Sequence, residues 1–150
     1  MDSSVFLKTG FVNISFNSNI FDVVVHTDVL EHVADYREAL NETFRITAHG
    51  GATIFTVPFL QQNENLEIRA RLSESGEIIH HLPPVFHGNP IDPTGSLVYQ
   101  TFGWSLLNEL RAAGFRKALI GVLTDSRLGF TSSNSPGYDY MEPVVFLATK

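Results

Sequence analysis

The chain predicts an α/β fold built on a parallel crossover, and three observations carry that prediction. Residues 21–25 form the continuous apolar, β-branched run expected of a parallel strand buried on both faces. A helical pattern follows, in which Ala39, Leu40, Thr43 and Phe44 recur on one face. Gly50-Gly51 then ends that segment, and a second apolar run occupies residues 52–57. Strand, helix and strand in this order make a βαβ unit, because parallel neighbours cannot be joined by a tight turn.

Each element has its own local reason. Val5-Phe6-Leu7 has the composition of a strand stub, and residues 13–19 are polar, Asn/Ser-rich and turn-like. The strand at 21–25 stops at His26-Thr27-Asp28, so polar groups collect at its carboxyl end, where open α/β sheets place their ligands. Asp28 and Glu31 have capping-box spacing ahead of a helix expected over residues 35–46. Residues 61–96 are too long for a simple connection, and Pro83-Pro84, Pro90 and Pro93 exclude a long helix there. An insertion is therefore expected, with residues 66–72 and 77–81 paired as a hairpin across Glu74-Ser75-Gly76. Leu106, Leu107, Leu110 and Ala113 give a stripe on a helix at 102–113, which Gly114 ends as a C′ residue. Two further strands are expected at 118–123 and 144–148, separated by a Ser/Gly/Asn-rich loop at 125–139.

Phe21-Asp22, Val29-Leu30-Glu31-His32-Val33, Arg45, Gly50-Gly51 and Val57-Pro58-Phe59 follow one another along the middle of the chain, and in this combination the segment resembles class I S-adenosylmethionine-dependent methyltransferases. The resemblance continues through His87-Gly88-Asn89-Pro90, Gly95-Ser96-Leu97-Val98-Tyr99, Phe102-Gly103-Trp104 and Ala112-Ala113-Gly114-Phe115. It implies the C-terminal part of a Rossmann-like methyltransferase sheet, with the last two strands as an antiparallel pair at one side. It also implies S-adenosylmethionine as cofactor and a small-molecule or sugar-type methyl acceptor. The family holds that cofactor with a Gly-rich turn after its first strand and an acidic residue after its second, both upstream of the segment matched here. None of the eleven glycines forms a G-x-G-x-x-G or G-x-G-x-G run, and residues 9–13 contain no carboxylate. The expectation is a single, partial methyltransferase-like domain over residues 1–150 that lacks the cofactor half and is unable to bind S-adenosylmethionine alone.

The same resemblance places His26, Thr27 and Asp28 beside the cofactor, and His32 and His87 toward the substrate. Local alternatives stand beside these roles: Asp28 as a helix cap with His26 satisfied on nearby backbone, and Glu31-His32 as a helix turn with a packed imidazole. No residue is assigned as the catalytic base. Two sets could supply metal ligands, His80, His81 and His87 with Asp92, or His26, Asp28, Glu31 and His32. Neither has a recognised spacing, and adjacent His80 and His81 would point apart on a strand, so no metal site is expected.

Composition narrows the partners. A hydrophobic content of 43% over 150 residues suffices for one compact domain. A net charge of −6, with ten scattered Lys and Arg, gives no basic field for a nucleic acid. No apolar run approaches the ~20 residues that span a bilayer, and residues 1–10 lack a signal-peptide pattern. A soluble, cytoplasmic protein without nucleic-acid or membrane partners is expected. Cysteine is absent, which removes disulfides and thiol nucleophiles. Two other functional classes stay open: a non-catalytic binding or self-association module, and a small His/carboxylate metal-dependent hydrolase. In the resembled fold the strand at 21–25 pairs with a strand of the missing half, and Val23, Val24 and Val25 carry no edge-blocking charge or proline, so a homodimer is expected in which this edge, or residues 5–16, of each chain covers the other's open side.

Overall fold

The computed structural model describes residues 11–88, 93–122 and 144–150. The expected stub at Val5-Phe6-Leu7, the loop at 125–139, and Pro90 and Asp92 lie outside the described residues. The crossover is formed by strand β1 (Phe21–Thr27), helix α1 (Tyr36–Ile46) and strand β2 (Thr47–Thr56). β1 and β2 are parallel, with Val24 opposite Thr53 and His26 opposite Phe55. Six short strands follow: β3 (Glu67–Ile68), β4 (Ala70–Leu72), β5 (Ile78–His80), β6 (Phe86–His87), β7 (Ser96–Leu97) and β8 (Gln100–Thr101). Helix α2 (Leu106–Ala112) and strands β9 (Lys117–Val122) and β10 (Val144–Thr149) complete the described chain. The main sheet has the order β1-β2-β10-β9, with β10 antiparallel to both neighbours. This is the expected mixed α/β sheet with its antiparallel pair at one side.

The core lies between this sheet and the two helices. Phe55 and Phe146 stack with ring centroids 5.2 Å apart, and Phe59 meets Phe146 edge-on. Leu40 of α1 and Leu106 and Leu110 of α2 close over them, all essentially inaccessible to solvent. The Arg37 guanidinium donates to both carboxylate oxygens of Glu109, at 2.9 and 2.8 Å, and so ties α1 to α2. At the far end of α1, Arg45 donates to the carbonyls of Ile14 and Phe16 while Glu42 accepts from the Ile14 amide. The polar segment before β1 is thereby fixed to the helix. Among the described residues no helix is long and apolar enough to cross a membrane.

Several local expectations are corrected. β1 is not buried on both faces: Val23 is 55% and Val25 64% exposed, and the strand lies at the end of the sheet order, paired only with β2 among the described residues. Gly50-Gly51 does not precede the second strand but lies within it, as a bulge. Between the pairs Phe21↔Thr47 and Val23↔Ala52, β2 consumes more residues than β1. A Cβ on Gly51 would sit 2.8 Å from the Asp22 carbonyl oxygen, so only glycine fits beside the partner strand. The capping box at Asp28 and Glu31 is not formed; Asp35 caps α1 by accepting from the Glu38 amide at 3.0 Å. The strand expected at 66–72 divides at Arg69. β3 pairs with β8, whereas β4 pairs with β5 across the expected turn. The helix expected from 102 begins at Leu106, because Phe102 makes a bridge with Phe59.

Gly114 ends α2 as the pattern predicts. Its amide donates to the Arg111 carbonyl and the Phe115 amide to that of Leu110, the pair of bonds that defines a Schellman motif. Its φ is +113°, and a Cβ would lie 2.7 Å from the Phe44 ring. Gly114→Ala should destabilise the fold by about 2–4 kcal/mol, through a disfavoured φ and overpacking against Phe44. Thermal denaturation checks this; a melting temperature within roughly 2 °C of the wild type would contradict it.

Candidate functional site

The carboxyl end of β1 is where polar chemistry concentrates. The Asp28 amide donates to the Thr56 carbonyl at 3.1 Å, extending the β1–β2 ladder by one residue. Asp28 then turns the chain with φ +50°, and its Oδ1 accepts from Thr56 Oγ1 at 3.2 Å. The chain enters a 3-10 turn at Leu30–His32. Leu30 anchors the turn in the core, and Glu31 is wholly buried with it.

A buried amide holds this turn against the insertion. Gln100 Nε2 donates to the carbonyls of Leu30 at 2.6 Å and Val33 at 3.0 Å, and the Tyr99 amide donates to the Glu31 carbonyl at 2.8 Å. The turn's backbone acceptors are therefore satisfied from β8 and the residue before it. The Glu31 carboxylate is not: neither oxygen has a hydrogen-bond partner among the described residues. Burial pushes its pKa up to about 7, with nearby Asp28 adding to the rise. Glu31 Oε1 lies 3.7 Å from His32 Nε2 and 3.7 Å from His87 Nδ1. The two imidazoles meet edge-to-face with centroids 5.0 Å apart.

The structure thus brings together residues that the sequence offered in separate sets. Glu31 and His32 come from the turn, and His87 from β6 of the insertion. His80 and His81 remain exposed on and beside the β4–β5 hairpin, outside this cluster. His26 is 6% exposed and points into the core, stacked on Phe55 at 4.7 Å and edge-on to Phe11 at 4.8 Å. Thr27 and Asp28 are exposed at the strand exit. The signal for Glu31 was its place between two predicted site residues. Gln100 carried no such signal, because its role depends on carbonyls nearly seventy positions away.

Beside the cluster lies a cleft of about 660 Å³. Phe11, His32, Tyr36, Arg71 and Tyr99 contribute to its wall. Arg69, the neighbouring cation, is already engaged by Glu67 and the Pro83 carbonyl. Arg71 has no such partner among the described residues, so its charge is available to the cleft. The size is within the range of small-molecule sites.

Comparison with known proteins agrees with this architecture. Residues 2–55 match the family described as "Methyltransferase domain". No curated protein matches significantly. Among solved structures, an S-adenosylmethionine-dependent methyltransferase from Mesorhizobium loti is similar at TM-score 0.56 and 12% identity, over 93% of this chain and 66% of that one. The Burkholderia thailandensis 1,6-didemethyltoxoflavin-N1-methyltransferase, solved with its namesake ligand and S-adenosylhomocysteine, is similar at TM-score 0.54 and 15% identity, over 97% and 50%. A Methanosarcina mazei member of the S-adenosylmethionine-dependent methyltransferases gives 0.51 and 14%, over 95% and 65%. The chain therefore spans about half to two thirds of the length of these structures. Its fold is that of the class I S-adenosylmethionine-dependent methyltransferases, and the resemblance read from its sequence holds.

The described residues do not by themselves fit that family's cofactor. They contain neither a Gly-rich turn nor a carboxylate placed for a ribose after a second upstream strand.

His26 makes a pH prediction. Both its ring nitrogens lack partners among the described residues, and burial lowers its pKa from 6.5 to about 4. The proton therefore prefers the unfolded chain: the stability tied to neutral His26 is complete above about pH 6.5 and is lost as the pH falls toward 4. From pH 7 to 4.5, wild type should lose about 2–3 kcal/mol more than His26→Leu. Urea denaturation of both proteins at the two pH values checks this; parallel losses would contradict it.

Proposed function

We propose that this chain forms the acceptor side of an S-adenosylmethionine-dependent methyltransferase acting on a small, hydroxylated or sugar-type molecule. The observation that carries the reading is the cleft beside His32, at the carboxyl end of β1 within a methyltransferase fold. Open α/β sheets bind ligands at such strand ends. His32 and His87 would contact the acceptor, Arg71 would favour an acidic group on it, and Tyr99 offers a ring for packing. Thr27 and Asp28, exposed at the strand exit, would face the cofactor side, with His26 supporting them from beneath.

S-adenosylmethionine binding by this chain alone should be weak. Each missing charge-assisted hydrogen bond to the cofactor costs about 1.5–3 kcal/mol, so two or three together weaken binding by several orders of magnitude. Calorimetric titration should show no micromolar affinity, and micromolar binding would refute this half of the reading. Hydroxylated sugar acids should shift the NMR signals of His32, Tyr99 and Arg71, and Arg71→Ala should weaken that binding about tenfold. Shifts confined to other surfaces would refute the acceptor half.

A second reading, a self-association module, is favoured by the β1 edge. Val23 and Val25 expose apolar surface along a strand that is paired on one side only among the described residues. A homodimer joined there should be converted to monomer by Val25→Lys. Light scattering at low concentration decides: a wild-type monomer, or a dimer indifferent to the lysine, would end this reading.

A further inference from the structure

The cluster of Glu31, His32 and His87 has a feature that neither acceptor binding nor self-association uses. Three electron-rich atoms converge on one point with no hydrogen bond among them. Their separations of 3.7 Å exceed hydrogen-bonding distance, and one ligand atom from each residue can be chosen so that all lie within 4.8 Å of one another. The protonation pattern of His32 is set by its other nitrogen. Nδ1 lies 2.8 Å from the Leu97 carbonyl oxygen, which can only accept, so Nδ1 carries a proton and Nε2 is the nitrogen turned toward Glu31. Glu31 presents a fully buried carboxylate whose oxygens are both unpartnered among the described residues.

We propose that Glu31, His32 and His87 bind a divalent transition-metal ion, with Zn²⁺ the best match to the donor set. Two imidazole nitrogens and one carboxylate oxygen are a set that zinc and non-haem iron both accept, with a further position left open. Ligand atoms around a tetrahedral zinc are about 3.3–3.5 Å apart, so the two 3.7 Å separations from Glu31 need close by only a few tenths of an ångström, while the two imidazole nitrogens, within 4.8 Å of each other, would move together by up to about 1.4 Å. The bond from His32 Nδ1 to the Leu97 carbonyl is the outer-shell contact that fixes a metal-binding imidazole. Gln100 positions the turn that carries two of the three ligands. His32 also lines the cleft, so the ion would sit at the wall of the acceptor site. The inference does not require methyl transfer, since it concerns the ion alone.

The test uses the full chain, stripped with chelator and titrated with ZnCl₂ by calorimetry and with Co²⁺ by visible absorption. One ion per chain should bind, with cobalt d–d bands that zinc abolishes. Glu31→Gln and His87→Ala should each weaken binding by more than about 100-fold, beyond the ~10–100-fold that loss of a supporting outer-shell contact costs. His80→Ala, on the exposed hairpin, should bind as the wild type does. His87 is partly exposed, so its removal tests the ligand set even if Glu31→Gln fails to fold; circular dichroism monitors both. The proposal is overturned if the wild type shows no saturable one-to-one binding, if His87→Ala binds unchanged, or if His80→Ala abolishes binding. Elemental analysis of the protein as purified adds a second readout, in which metal retained equally by wild type and His87→Ala also counts against it.

Discussion

The parallel pairing of β1 with β2 is the constraint on which the rest of the structure depends. Because the two strands run the same way, the chain must climb back across the sheet before β2 can begin. The 3-10 turn and α1 make that return. The turn is consequently held at the carboxyl end of β1, and everything polar in Asp28, Glu31 and His32 arrives there together. The ladder hydrogen bond between Asp28 and Thr56 fixes where the strand ends and the turn starts. Gly51 permits the close approach of β2 to the Asp22 carbonyl that this register requires.

The insertion completes what the crossover begins. Its strands are only two or three residues long and form three separate pairs, too little hydrogen bonding for independent stability. They are held by contacts to the crossover: Gln100 to the carbonyls of Leu30 and Val33, and the Tyr99 amide to Glu31. The Val98 amide in turn donates to Val85, beside β6. The same contacts carry His87 to Glu31. Desolvating a carboxylate without a partner is costly, so the buried Glu31 stands as a local cost within the fold.

The middle of the sheet and its ends contrast. The β2–β10 centre is closed by α1, α2 and the aromatic stack of Phe55, Phe59 and Phe146, and its alternating burial follows the pleat, whereas Leu119 and Val122 of β9 are about half exposed. On β1 the sequence is that of an interior strand, yet Val23 and Val25 face solvent. His26, on the opposite side of the same strand, is sealed between Phe11 and Phe55. One strand therefore separates a well-packed face from an apolar exposed one.

The sequence by itself determined the crossover, the four main strands, the end of α2 at Gly114 and the methyltransferase resemblance. These depend on short-range periodicity, on glycine's tolerance of positive φ and on motif order, all of which are written locally. Tertiary structure decided that Asp35 and not Asp28 caps α1, because Asp28 is drawn into the β1–β2 ladder by Thr56. It decided the division of residues 66–72, because the backbone amides of Arg69 and Ala70 are claimed by Tyr99. It also decided the site: Glu31 and His32 meet His87 across more than fifty residues through a clasp at Gln100. A contact of that kind is set by the path of the backbone between its partners, and no local pattern of residues encodes it.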